Sequence, residues 1–206
     1  KTYFDTGMFP DPDVKSPNPS VTRYYKAPSI GSSLLGSDER VYVLVSTSVP
    51  MSTLKNYLLS IEKAKDPGIR MIFRGLPKDN TSRKPILVMK DYLLRLLARN
   101  EGCTMKDRDC RIRASVQVDP VVFRRHSITD NVPAIVYARG VRVNDPGLSE
   151  GMEHNAAVNE FYVVRGDVAL EYALELFRRE MAGQGKATAG LDKLISSLNN
   201  SFFKGE

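Results

Sequence analysis

The sequence predicts an α/β protein, a central mixed sheet flanked by helices behind a proline-rich N-terminal arm. Three observations carry the prediction. An apolar run, Val41-Tyr42-Val43-Leu44-Val45, leads straight into a segment whose Met51, Leu54, Leu58 and Ile61 fall on one helical face, a strand-then-helix unit. Strand and helix patterns then keep alternating, which argues for helices layered against a sheet. Before them, Pro10, Pro12, Pro17, Pro19 and Pro28 lie among Ser, Gly and Asp, a composition that resists regular helix or strand.

In chain order, residues 1–39 form the arm, and its Tyr3, Phe4, Phe9, Tyr24 and Tyr25 give it enough apolar surface to dock on its own body or on a partner. Arg70-Met71-Ile72-Phe73 reads as a short buried strand that ends at Arg74-Gly75-Leu76. The next helix is expected from Lys84 to Arg99, with Ile86, Met89, Leu93 and Leu96 on its inner face and Pro85 in its first turn, where no N–H is needed. Ile112, Ala114, Val116 and Val118 alternate with Arg113, Ser115 and Gln117, the period of a half-buried strand, which Asp119-Pro120 ends. A helical turn begins at Pro120. It precedes Val132-Pro133-Ala134-Ile135-Val136-Tyr137, a strand introduced by a proline that cannot pair through its own nitrogen. After a Gly/Asp/Asn-rich loop at 144–159, a strand is expected from Glu160 to Val164. Arg165-Gly166-Asp167 then turns into a helix with Leu170, Ala173, Leu174, Phe177 and Met181 on one face and Asp167 as its N-cap. Leu191, Leu194, Ile195 and Leu198 mark a last short amphipathic helix. The expected division is therefore an arm at 1–39, one α/β domain at 40–182 and an extension at 183–206.

At 206 residues and 42% hydrophobic content, the chain can bury one sizeable core. No apolar run approaches the roughly 18 to 20 residues that span a bilayer, and the start lacks the n-region and h-region of a signal peptide. Beginning at Lys1 fits a processed, exported chain as well as an arbitrary boundary. The net charge of +6 is unevenly spread: Arg40 to Asp145 carries 20 Lys+Arg against 10 Asp+Glu, the residues from Pro146 carry 6 against 9, and the first 39 carry 4 against 5. Such a basic body attracts an acidic partner, an anionic membrane surface or nucleic acid, or is a solvated surface. No aromatic-interleaved RNP pattern, helix-turn-helix signature or zinc finger accompanies the charge, which argues against nucleic acid. Arg124-Arg125 beside His126 reads as a solvated turn or a small anion-attracting edge.

Cys103 and Cys110 are the two cysteines, seven apart in a polar loop. An even count in an exportable protein favours a disulfide. The alternatives are free thiols in a reducing compartment and a redox switch whose thiol pKa values Lys106, Arg108 and Arg111 would lower. With His126 and His154 far apart in sequence there is no metal-ligand spacing, and neither a metal nor another cofactor is expected.

Ser48-Val49-Pro50-Met51 joins the first strand to the first helix. There the chain resembles thioredoxin-like folds, whose redox Cys-x-x-Cys stands at that junction so that unpaired N–H groups and the helix macrodipole stabilise a thiolate. Aligned on Pro50, Ser48 replaces the attacking cysteine and Met51 the resolving one, and neither can exchange disulfides. Ser48 reads instead as an N-cap for the helix beginning at Pro50. A hydrolase built on Ser48 and His126 would lack both a Gly-x-Ser-x-Gly elbow and an orienting carboxylate. Arg165-Gly166-Asp167 has the letters of an adhesion motif, but a turn and a cap account for it.

Five segments together carry a more specific resemblance: Val43-Leu44-Val45-Ser46-Thr47-Ser48-Val49-Pro50, Arg74-Gly75-Leu76, Val118-Asp119-Pro120-x-x-Phe123, Val132-Pro133-Ala134-x-Val136, and Arg165-Gly166-Asp167-Val168-Ala169-Leu170-x-Tyr172-Ala173-Leu174. In order and spacing they resemble the TrbC family of F-type conjugative pilus assembly proteins, over roughly Arg40 to Met181. The insert from Cys103 to Arg111 departs from the family pattern. The resemblance implies a thioredoxin-like, non-enzymatic periplasmic component of a Gram-negative type IV secretion system that supports pilus assembly by docking to other envelope proteins, notably a TraW-like one. The competing class is a thiol-disulfide oxidoreductase or isomerase of the same fold, which would need a cysteine near Ser48. The fold resemblance also raises the expectation of a cis Val132–Pro133 bond above the base rate of about 5 to 6%. It brings Ser48, Val49 and Pro50 beside Val132 and Pro133, an edge along which redox relatives hold an extended chain, and these five residues are the expected partner-docking site.

Overall fold

The computed structural model describes residues 33–77, 84–103, 109–130, 132–141 and 160–200. The chain divides into two units, 1–30 and 31–206, and every described residue lies in the second. The arm's aromatic residues, Lys106, Arg108, His154 and the 144–159 loop fall outside the described residues.

Within them the order is β1 (Arg40–Val45), α1 (Met51–Ala64), β2 (Ile69–Phe73), α2 (Pro85–Leu97), β3 (Val116–Val118), α3 (Pro120–Arg125), β4 (Ala134–Arg139), β5 (Glu160–Arg165), α4 (Leu170–Gly183) and α5 (Ala189–Asn200). β1 is apolar along its length because it is the central strand of a sheet ordered β3-β2-β1-β4-β5, covered on both faces. It pairs in parallel with β2, Val43 opposite Met71, and antiparallel with β4, Leu44 opposite Ala134. β3 extends the parallel half and β5 the antiparallel half.

Alternation along the strands sorts the core into two clusters. Val41, Val43, Val45, Met71, Phe73, Ile135 and Tyr137 face the larger one, which α1, α2, α4 and α5 close. Tyr42, Leu44, Ile72, Ala134 and Val136 face the smaller one, capped by Val122 and Phe123 of α3. The mixed α/β architecture is the one expected, and α4 and α5 bury the faces that their spacing marked: Leu170, Ala173, Leu174, Phe177 and Met181 on one, Leu191, Leu194, Ile195 and Leu198 on the other. The expected helix at 84–99 is α2, with Pro85 in its first turn.

Several local expectations are corrected. On α2 Met89 and Leu96 are buried and Leu93 packs against the core as expected, but Ile86 is 69% exposed and Tyr92 is buried instead. Tyr92 meets the ring of Phe73 edge-on at 5.8 Å, a contact that favours the larger aromatic surface over Ile86. The strand expected from Ile112 shortens to Val116–Val118. Arg111 bridges instead to Ala98, and the Arg113 N–H donates to Glu62 Oε1 of α1 at 2.8 Å, so the chain there is tied to the helices rather than to the sheet. Ser48 does not cap α1: the cap is Pro50, and the Ser48 hydroxyl pairs with Ser46 Oγ at 2.6 Å. Nor does Asp167 cap α4, whose cap is Ala169. The N-caps that proline and alanine occupy have no side-chain acceptor. Asp119 caps α3, accepting from Val121 and Val122 N–H at 2.9 and 3.4 Å.

Two buried carboxylates hold the start of the unit to the body. Glu39 accepts from the Gly36 N–H at 2.8 Å and the Tyr137 hydroxyl at 2.7 Å, and burial together with that bond raises the phenol's pKa above its ordinary value. A Cβ at Gly190 would stand 2.2 Å from Glu39 Oε2, so a larger residue there would push this carboxylate aside. Asp66 accepts from Leu34, Leu35 and Gly68 N–H at 2.5, 3.0 and 2.7 Å and from Ser33 Oγ at 3.1 Å. Leu35 is thereby delivered into the larger cluster. A disulfide joins Cys103 and Cys110, Cα atoms 5.6 Å apart. Among the described residues no helix is long and apolar enough to cross a membrane.

Candidate functional site

Four loops meet where β1 and β2 end. Ser46–Pro50 leaves β1 through a tight turn, the Val49 N–H donating to the Ser46 carbonyl at 3.2 Å. Ser48 and Pro50 are exposed on this turn, whereas Val49 is 7% exposed and belongs to the larger core cluster. Antiparallel pairing of β1 with β4 places the second loop alongside. One step beyond the Leu44–Ala134 pair lies Pro133, then Val132, which is half-buried against the same cluster as Val49. The Val132–Pro133 peptide is cis. The structure thus brings the five expected residues to one end of the sheet, with Val49 supporting the turn from beneath.

The third loop was read from sequence only as a turn and cap, and it does more. Gly166, at φ +105°, occupies the left-handed region that glycine tolerates, and its N–H donates to the Pro133 carbonyl at 2.9 Å. Asp167 then reaches across to α1, accepting from Tyr57 Oη at 3.2 Å and Thr53 Oγ1 at 3.3 Å, while the Tyr57 hydroxyl also lies 2.9 Å from the Val168 carbonyl. Burial, and next the Asp167 charge, pushes the Tyr57 phenol up to about 12, so it remains a donor at any physiological pH. Sequence offered one signal for this link: a buried tyrosine in an amphipathic helix needs a polar partner for its hydroxyl. The fourth loop follows β2. The Arg74 N–H donates to the Val45 carbonyl at 3.0 Å and its guanidinium to the Thr129 carbonyl.

The rim is charged by Arg74, Asp130, Arg165 and Asp167, all exposed. Main-chain groups at the centre are partly committed: the Val132 N–H donates to the Asp130 carbonyl at 3.2 Å, and no described residue donates to the Val132 carbonyl. The Ser46 and Ser48 hydroxyls lie 2.6 Å apart, and among the described residues no histidine or carboxylate hydrogen-bonds to either. His126 lies apart, buried on the other face of the sheet between Tyr42 and Phe161. Among the described residues no three His, Cys, Asp or Glu side chains gather to hold a metal ion.

Residues 43–177 match the family model of the type-F conjugative transfer system pilin assembly protein, TrbC. The chain belongs to this family. The match contains the four loops, the disulfide and α1 through most of α4, so the architecture of this TrbC-family chain around its candidate site lies within the family region. No curated protein and no solved structure matches it.

Proposed function

We propose that this TrbC-family chain is a non-enzymatic periplasmic scaffold of the conjugative apparatus, a thioredoxin-like body whose groove between Ser46–Pro50 and Val132–Pro133 receives an extended segment of a TraW-like partner. One observation carries the reading: the loop at the N-terminus of α1 and the proline-led start of β4 lie side by side at the end of β1, the relation in which redox relatives seat a peptide, and no thiol stands there. The order β1-α1-β2 in parallel followed by antiparallel β4-β5 and α4 supports the thioredoxin-like assignment. An added segment would draw on the Val132 carbonyl, to which no described residue donates, and on side-chain contacts with Ser48, Pro50 and Val132 more than on a full ladder. The basic body would raise encounter rate with an acidic partner.

Val49 is a poor place to test the groove, because an aspartate there would be buried without a partner and would cost the fold several kcal/mol. Pro50→Asp is the better probe, since a carboxylate is welcome at a helix N-cap. Pro50→Asp and Val132→Asp are expected to weaken capture of a TraW-like protein by at least about tenfold, a loss of about 1.4 kcal/mol, with unchanged circular dichroism. Deletion of residues 1–30 is expected to have little effect. Loss of capture on that deletion, with both groove variants binding normally, would make the arm the interaction element.

The oxidoreductase reading makes a separable prediction. In an insulin-reduction assay the wild-type chain is expected to match the uncatalysed rate, because Ser48 and Met51 hold the thiol positions and Cys103 and Cys110 are joined to each other. Turnover that disappears in Cys103→Ser would place a redox site in the Cys103–Cys110 loop and defeat the scaffold reading.

A further inference from the structure

At the far end of α1 from the groove, about 18 Å along the helix from Met51 to Lys63, the surface folds into a hollow of about 590 Å³. Lys63, Lys65, Arg99, Arg111 and Arg113 line it. Two carboxylates share the lining: Glu62 is taken up by Arg99 at 2.5 Å and by the Arg113 N–H, and Asp109 lies 3.3 Å from Arg113. Among the described lining residues five cations stand against two anions. Leu59 also lines it, with 41% of its surface exposed.

The walls are fixed in place. The disulfide closes the loop between Arg99 and Arg111, the Arg99 N–H donates to the Cys110 carbonyl at 2.9 Å, and the Ile112 N–H donates to the Leu97 carbonyl at 2.8 Å. Lys65 caps α1 in the left-handed conformation, φ 52°, a position where glycine is the usual residue. A lysine held there at a conformational cost adds a cation to the rim that the helix end does not require.

We propose that this hollow binds an acidic, leucine-containing segment of a partner polypeptide, as a contact separate from the groove. Charge selects the class: the excess of cations among the described lining residues attracts carboxylates. Shape and the exposed leucine select within it. A concave site in the size range of small-ligand pockets does not meet a flat bilayer, and an apolar side chain among the cations has no use for a phosphate backbone.

The test uses the full chain with its disulfide intact and a fluorescein-labelled peptide of alternating Glu and Leu, followed by fluorescence anisotropy. Lys65→Glu combined with Arg113→Glu, two exposed positions outside the core, is expected to weaken binding by about tenfold or more, and Lys65→Gln with Arg113→Gln by a smaller factor. Lys84→Glu with Lys90→Glu makes the same change of net charge on exposed positions elsewhere and is expected to shift the affinity less than about twofold. Val132→Asp should leave it unchanged, which separates this site from the groove. Equal weakening by the two Glu pairs would reduce the effect to non-specific attraction and overturn the proposal. So would absence of wild-type binding, equal affinity for a Glu-Gly peptide, or tighter binding of phosphatidylglycerol vesicles or a single-stranded oligonucleotide through Lys65 and Arg113.

Discussion

Asp66→Ala is expected to lower the unfolding free energy of this TrbC-family chain by about 3 to 5 kcal/mol. Three backbone N–H groups and a hydroxyl converge on the carboxylate, which is 5% exposed. Hydrogen bonds to a charged acceptor contribute roughly 1.5 to 3 kcal/mol each, and buried donors left without a partner add their desolvation penalty. The loss propagates because those bonds position Leu35, 3% exposed, in the larger cluster. The neighbouring Gly68 leaves no slack, since a Cβ there would stand 2.9 Å from Asp66 Oδ1 and 3.0 Å from Leu35 Cδ1. Asp66→Asn keeps one acceptor oxygen and should lose about half as much. Urea titration followed by circular dichroism measures both, and a loss under 1 kcal/mol for the alanine variant would mean that the Asp66 hydrogen bonds contribute little to folding.

His126 should make stability fall as the solution is acidified, above the range in which carboxylates titrate. The ring is 1% exposed, its centroid 5.6 Å from that of Tyr42 and 5.0 Å from that of Phe161, and its Nδ1 has no hydrogen-bond partner among the described residues. Burial, and after it the neighbouring Arg125 charge, lowers its pKa from 6.5 to about 4. The unfolded chain therefore binds a proton that the folded one refuses. Stability is fully present above pH 6.5 and is lost as pH falls through that value toward 4, by about 2 kcal/mol at pH 5 and roughly 3 in all. His126→Leu should flatten the profile between pH 7.5 and 5 while staying within about 1 kcal/mol of the wild type at pH 7.5, because the unpartnered nitrogen goes with the ring. A wild-type profile already flat over that range would show that His126 takes up its proton at the same pH folded and unfolded.

Local pattern was sufficient for much of this fold. The uninterrupted apolar run of β1 requires a strand covered on both faces, and the 3.6-residue spacing in α1, α4 and α5 names their buried sides, because a single period can satisfy only one packing face. The same residues, read as five ordered segments, carried the family. In α2 the period found Met89, Leu93 and Leu96 but also named Ile86, which is exposed, and missed Tyr92, which meets Phe73 edge-on.

What the sequence determined by itself was the order of elements, the faces they bury, the absence of thiols at the Ser48–Met51 junction and the meeting of that junction with Val132–Pro133 once the fold resemblance was in hand. Tertiary structure alone decided the polar assignments. Asp167 serves Tyr57 and Thr53 of α1 rather than its own helix, Asp66 holds a segment 31 to 33 residues away, Val49 lies buried beneath the Ser46–Pro50 turn instead of on its surface, and the Arg113 N–H turns from the sheet to Glu62. The physical reason is common to all four. Periodicity reports how a side chain relates to its own element, whereas a buried donor or acceptor takes whichever partner the packing of distant elements brings within about 3 Å.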